Sequence, residues 1–517
     1  MSITKRVITA SICIGLLVSL LHIFLCDDVY DDIAAYYGPM TAAFVRGDWD
    51  SAFCLEVPIL NSTLAGTLTL CGMHPFTALM VVSCFFYLAS APLVYILGKH
   101  FLKRDDYAAW SVFIYIVAPK IIRFSCTGLL NSSRNFFVLA AAVLVLVSAT
   151  KTKWWKSALL GLSLGGAAMA RAEAIVFAPL LTLWLGYYIF KQCEYKINPK
   201  SIGKITGNWI IVVVFFLLFT APRSYQMYVK TGCPGLDFRH VQTIADLTGM
   251  PQPIIGKRLV NAYHVKAERS AKIKHGIDSF FQGIECFFRG AYTPYFLLAI
   301  LGMAVLYRKK SLPPADTLLL IAIIALNSIV FFIFSNSVRY FTLTLIMLLP
   351  MTITGIMFLW DSLPKLPGLL KRISVPEISV RHLQIGIVAV LAVVVLLQVL
   401  NGIAKLTRGD KYTYESNAGL WIKANGRKYV KKAGRFTVAG PKPQYSFWAD
   451  ANELGISPSA TGINMFAEQI ANEADFIVLK SKNIESVEAV QKIGFKKAEE
   501  QPDKRVVVFY RKKEQGQ

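Results

Sequence analysis

The chain has 517 residues, 55% of them hydrophobic and 17% charged, with a net charge of +23 and a mean hydropathy of +0.48. So apolar a composition excludes a soluble globular protein of this length. The chain is a membrane protein, and its positive charge lies on loops between apolar runs, which argues against nucleic acid as a partner.

Apolar runs of about 20 residues, enough to cross roughly 30 Å of hydrocarbon, recur along the chain. Helices are expected over 7–25, 76–97, 107–122, 135–150, 157–170, 173–190, 208–222, 291–307, 316–334, 341–360 and 385–401. The first follows Lys5 and Arg6, as a signal peptide would. It runs longer than a signal core and ends in Cys26-Asp27-Asp28, with no small-residue cleavage site, so it is expected to remain as an anchor. Only Arg171 and Ala172 separate 157–170 from 173–190.

With a cytoplasmic N-terminus, the short outside loops hold Arg46, Lys120, Arg123, Arg134, Arg171 and Arg339. The inside loops hold a far larger set, from Lys5, Arg6, Lys99, Lys103 and Arg104 through Lys151, Lys153 and Lys156 to Lys371, Arg372 and Arg381. That is a positive-inside bias. An odd number of about eleven spans then places loops 26–75 and 223–290, and the tail, on the non-cytoplasmic side.

Loop 26–75 mixes helical spacing with a Gly-Pro break and is expected to form short helices at the membrane surface. The basic stretch GKRLVNAYHVKAERSAKIKHGIDSFF, 256–281, reads as a solvated helix at the headgroups before it reads as a substrate site. Beyond Lys405 the chain turns polar. RFTVAG, ADFIVLK and RVVVFYRK read as strands, with helix-like INMFAEQIANEA and IESVEAVQKIG between them. The expected architecture is thus a polytopic α-helical membrane domain over 1–405, followed by a soluble α/β domain over 406–517.

No HExxH, Walker A or strand-linked GxGxxG motif is present, which argues against nucleotide-driven transport. The nine cysteines contain no CxxC and give no metal-ligand framework. The segment CDDVYDDIAAYY, Cys26 to Tyr37, is the unusual feature. On a helix Asp28, Asp32 and Tyr36 form one stripe, with Asp27 and Asp31 on the next. Two explanations stand side by side: a general base held at the bilayer edge, or a hydrated turn at a helix N-terminus, where acids suit the macrodipole.

The stretch DIAAYYGPMTAAFVRGDW, from Asp32 to Trp49, resembles the first outside loop of GT-C glycosyltransferases that use polyprenyl-phosphate sugars, aminoarabinose transferases of lipid A and protein O-mannosyltransferases among them. Asp32, Tyr36 four residues on, and Gly47-Asp48-Trp49 fifteen residues on match the pattern, although Ile33 stands where the family has a second acid, a place Asp31 is positioned to fill. LEVP, with Glu56 and Pro58, is similar to the family's Glu-Lys-Pro element but has Val57 for the lysine. GLSLGGAAMARAEAIVFAPLL supplies Arg171, TAPRSYQMYVKTG resembles the exit into the large outside loop, and SNSVRYFTLTLIMLLP supplies Arg339 and Tyr340. The landmarks occur in family order over residues 7–360.

The resemblance implies a bacterial inner-membrane transferase that moves a hexose or pentose from a polyprenyl-phosphate carrier, with inversion, to a glycan, lipid or protein acceptor at the periplasmic or extracellular face. Asp32 is then the base, supported by Asp31, and Tyr36 and Glu56 contact substrate. The leaving phosphate calls for cations. Arg171, Arg339, Arg123 and Arg134 are candidates, with Tyr340 beside Arg339. Arg171 reads equally as a partner of Glu173, and Arg123 and Arg134 as interfacial anchors. Four carboxylates are enough for a divalent ion, as in the more distant oligosaccharyltransferases, but no metal or other cofactor is required. A lipid-linked-sugar flippase or secondary transporter is the alternative, and predicts midplane charges and internal symmetry. A scaffold protein would tolerate Asp32→Ala.

Overall fold

The computed structural model describes residues 2–25, 30, 32–55, 57–232, 234–237, 280–289, 293–309, 313–334, 337–362, 413–430, 434–440, 445–446, 449–455, 463–464, 467–502 and 504–511. The expected span 385–401 and nearly all of the basic stretch 256–281 lie outside them. Two compact units form. One holds the described residues of 1–24, 80–253 and 270–404, and the other those of 25–79 and 405–517.

In the first unit six helices are long and apolar enough to span a bilayer, or eight if each of two bent pairs is one span, counted among the described residues. Ile3–Leu25 has 23 residues, about 35 Å at 1.5 Å per residue. It buries only Ser11, Gly15, Val18, Ser19 and His22, a stripe of mostly small residues, and turns the rest outward as a lipid-facing helix does. Pro199–Thr231 has 33 residues, about 50 Å, so it must tilt or extend beyond the hydrocarbon. It starts with a capping box between Asn198 and Ser201 and stops at Gly232, which is left-handed.

The expected single helix over 107–122 is broken. Asp105–Val117 and Pro119–Ser125 meet at 59°. Ala118 is extended, the conformation forced on a residue that precedes proline. The junction at Arg171 is a true break as well: Trp154–Ala170 ends, Arg171 is extended, and a 3-10 turn over Ala172–Val176 leads into Phe177–Gln192. The Gly-rich run in Trp154–Ala170 has a packing cause. A Cβ on Gly161 would collide with the Val212 carbonyl, and one on Gly165 would lie 2.7 Å from Phe219 Cβ. The helix therefore lies against Pro199–Thr231 as closely as two backbones permit, and that contact fixes where Arg171 emerges.

In the second unit, loop 25–79 forms short helices at Gly38–Val45, Trp49–Ala52 and Leu60–Leu70. The tail builds a five-stranded sheet in the order β2-β1-β3-β5-β4, with β1 Thr437–Gly440, β2 Asn452–Gly455, β3 Phe476–Lys480, β4 Lys496–Lys497 and β5 Val506–Tyr510. β1 pairs in parallel with β2 and β3, and β5 runs antiparallel to β3 and β4. Phe476, Val478, Val506 and Val508 face one core with Ala418 and Ile422 of Thr413–Tyr429. Ile477, Leu479, Val507 and Phe509 face the other with Ala489 and Val490 of Ile484–Lys492. Both sheet faces are covered, so the central strands are apolar throughout.

Candidate active site

Asp32 opens a helical run whose first turn, Ile33–Tyr37, is a π-helix closed by the Gly38 N–H on the Ile33 carbonyl. Single π turns in helical runs are frequent at functional sites. Ile33, Ala34 and Tyr37 are buried, while Asp32 and Tyr36 are half-buried, so these two share the outward side of the turn. Asp31, Glu56, Asp27 and Asp28 lie outside the described residues.

The Gly47-Asp48-Trp49 landmark is a turn. Gly47 has φ +69, a left-handed backbone open to glycine. Asp48 caps Trp49–Ala52 through Oδ1, which accepts the Ser51 N–H at 3.2 Å. Hydrogen bonding from Ser51 holds the Asp48 carboxyl below the usual carboxylate range. Trp49 stacks on Phe53 at 5.9 Å and meets Phe44 edge-on at 5.2 Å. Through these contacts the motif reverses the chain after Gly38–Val45, which is a structural role.

The arginines belong to the first unit. Arg171 Nη2 donates to Glu173 Oε1 at 2.9 Å, with both side chains largely buried. Its guanidinium lies 4.3 Å from the Tyr340 ring centroid. Arg339 stands 5.0 Å from the same centroid and donates Nη2 to the Tyr340 hydroxyl at 2.9 Å. Arg134 is 1% exposed and donates Nη2 to the Tyr340 carbonyl at 3.0 Å. Three guanidinia thus converge on one tyrosine, and among the described residues Glu173 is the carboxylate paired with one of them. A helix N-terminus disfavours cations, yet Arg134 sits in the first turn of Asn131–Ser148. Arg123 is elsewhere: it is exposed on Pro119–Ser125, 5.5 Å from the Phe124 ring.

Sequence reasoning missed the polar residues around this cluster. Asn135 accepts from Arg134 and donates to Thr342 Oγ1 at 2.9 Å, and Asn327 Nδ2 donates to the Tyr340 carbonyl at 3.3 Å. A lone Asn in the apolar run LLLIAIIALNSIVFFIF was the available signal. Also unforeseen is a second buried polar contact, where Asp316 accepts the Tyr188 hydroxyl at 2.6 Å and meets His100 Nε2 at 2.7 Å, tying together three helices. No group of three or more His, Cys, Asp or Glu side chains suited to a metal ion occurs among the described residues.

No protein-family model and no curated protein matches the chain. Solved structures do. ArnT from Cupriavidus metallidurans bound to undecaprenyl phosphate aligns with a TM-score of 0.60 at 12% identity, over 97% of this chain and 97% of that one. The chain has the GT-C fold. Archaeal oligosaccharyltransferase AglB from Archaeoglobus fulgidus, in complex with an inhibitory peptide and a dolichol-phosphate, aligns at 0.52 with 11% identity, over 91% of this chain and 69% of that chain. At these identities the likeness is one of architecture. What the GT-C fold does in this chain is argued from the side chains set on it.

Proposed function

We propose that the chain is a membrane glycosyltransferase that takes a sugar from a polyprenyl-phosphate carrier and passes it to an acceptor at the non-cytoplasmic face. The observation that carries this reading is the convergence of Arg134, Arg171 and Arg339 on Tyr340, in a chain of the GT-C fold. Among the described residues Glu173 is the carboxylate that pairs with this cluster, and folding gains less from gathering like charges than a bound anion would. A phosphate gains much, because guanidinia offer planar, charge-assisted donors. The ligands of the structural neighbours, undecaprenyl phosphate in ArnT and a dolichol-phosphate in AglB, are of the class this cluster suits.

In the reaction the acceptor hydroxyl or amine gives its proton to the Asp32 carboxylate and bonds to the anomeric carbon. The bond from that carbon to the carrier phosphate breaks, and the phosphate leaves with the electron pair. Attack opposite the leaving group inverts the centre. Asp32 also stabilises positive charge on the sugar, and Arg171 and Arg339 stabilise the charge growing on phosphate. Countercharge for the leaving group therefore comes from the chain itself, and a divalent ion at the acidic segment is an addition to be tested. The sugar is a hexose or pentose, and the acceptor a glycan, a lipid or a protein hydroxyl of the cell envelope.

The test is transfer of radiolabelled sugar from polyprenyl-phosphate sugar by the purified full chain in lipid, with envelope membranes as acceptor. Carrier-dependent transfer that survives EDTA is expected. Flipping of the carrier with no sugar transfer would replace the reading by that of a transporter.

A further inference from the structure

The turn Val338–Phe341 carries both Arg339 and Tyr340, and a 3-10 turn of four residues has few hydrogen bonds of its own to hold it. Donors from other helices hold it instead. The Tyr340 carbonyl accepts from Arg134 Nη2 at 3.0 Å and from Asn327 Nδ2 at 3.3 Å. The Arg339 carbonyl accepts from Thr342 Oγ1 at 2.9 Å, and that hydroxyl accepts in turn from Asn135 Nδ2 at 2.9 Å. Asn135 Oδ1 completes the set by accepting from Arg134 Nη2 at 3.0 Å.

Arg134, Asn135, Asn327 and Thr342 are each at most 2% exposed. Buried polar groups in a membrane bundle are expensive, and apolar side chains would pack the same volume at less cost. What these residues achieve is local: two consecutive carbonyls are pinned, and with them the bases of Tyr340, which meets Arg171, and of Arg339, which bonds the Tyr340 hydroxyl.

We propose that Arg134, Asn135, Asn327 and Thr342 are positioning residues for the carrier phosphate, holding the Arg339-Tyr340 turn in register with Arg171. The inference rests on the functional reading above. It assigns the four to donor affinity more than to turnover, since none is needed at the anomeric carbon.

The experiment uses the full chain in lipid nanodiscs, with sugar-free polyprenyl monophosphate as the binding probe and transfer kinetics as the second readout. Asn135→Ala, Asn327→Ala and Thr342→Val are expected to weaken probe binding about tenfold, to raise donor KM by a similar factor, and to lower kcat by no more than about threefold. Thr342→Ser keeps the hydroxyl and should bind as the parent does. Ser133→Ala, whose hydroxyl bonds the Leu130 carbonyl at 2.9 Å in its own helix, is the control. Thr342→Val changes little volume, and thermal unfolding checks that it folds. If it and Asn135→Ala bind the probe like the parent, the positioning role is wrong while the functional reading stands. If the parent binds no polyprenyl phosphate, the functional reading falls first and this inference with it.

Discussion

Replacing Arg339 separates a folding role from a substrate role, because the structure makes the two costs unequal. For folding, the described contacts that Arg339→Ala removes include the hydrogen bond to the Tyr340 hydroxyl, at 2.9 Å, and the cation–π contact at 5.0 Å. These contribute about 1 kcal/mol and about 0.5–1 kcal/mol. Against them stands relief of repulsion from Arg171, which lies 4.3 Å from the same ring. The net loss from these contacts is about 1 kcal/mol, a shift of about 2 °C or less in a chain of this size. A charge-assisted contact to phosphate contributes about 1.5–3 kcal/mol, which is about 10- to 150-fold in donor affinity. Arg339→Ala should therefore raise donor KM by that factor with a nearly parental Tm. Arg339→Lys retains the charge without the planar fork and should recover only part. The assay is initial rate against polyprenyl-phosphate-sugar concentration, with unfolding followed in the same preparation. Parental rates and donor dependence in both variants would move the phosphate role away from this cluster.

Asp32→Asn keeps size and removes the base, so transfer should fall by about two orders of magnitude or more with carrier binding intact; Asp27→Asn and Asp28→Asn should cost far less, and the opposite order would shift the base one turn toward Ile3–Leu25. Glu173→Gln leaves buried Arg171 without its carboxylate, a loss of about 3–5 kcal/mol, and excess polyprenyl phosphate should restore part of the Tm by supplying an anion; full stability without carrier would mean that the pair has no structural weight. Gly161→Ala drives a Cβ into the Val212 backbone and should destabilise by about 1–3 kcal/mol, whereas Gly207→Ala, with nothing within 4 Å of its added Cβ, should be neutral or stabilising by about 0.5–1 kcal/mol; equal melting temperatures would refute the close approach. Reporter fusions at 50 and 410 should both report the non-cytoplasmic side, as the basic-residue asymmetry requires, and opposite sides would separate the acidic segment from the tail.

Apolar runs were legible because the bilayer sets their length, and the same rule holds along the chain. Their interruptions are local chemistry. Ala118-Pro119 was visible in the sequence, yet Pro92, Pro222 and Pro350 lie inside unbroken helices. What differs at 118 is the extended backbone, which hydropathy does not report. In the tail, FIVLK and VVVFY declared themselves by β-branched and aromatic content. β2, NELG, carries no such signal and exists because its backbone pairs with β1 at the sheet edge. The helix Thr413–Tyr429 was missed because the segment is polar overall, although Ala418, Trp421, Ile422 and Tyr429 recur at helical spacing and pack in or against the core.

The site divides along the same line between local pattern and distant contact. Asp32, Tyr36, Arg171, Arg339 and Tyr340 could be singled out because each sits in a short motif whose residues are neighbours in sequence. Asn135 and Asn327 are not of that kind. Asn135 reaches Thr342, 207 residues away, and one sequence holds no record of a contact that folding makes across such a distance. Arg134 lies between the two cases. Its charge near the mouth of a span made it a candidate, and an interfacial anchor reaching toward headgroups was the competing description. Burial decides against the anchor: a snorkelling arginine keeps its guanidinium in water, whereas Arg134 is 1% exposed and spends two nitrogens on Asn135 and the Tyr340 carbonyl. A cation so placed, close to two others and away from water, raises the local field for any anion that arrives. On the proposed reading that cost is borne before the carrier binds, which is how a preorganised site differs from one assembled around its ligand.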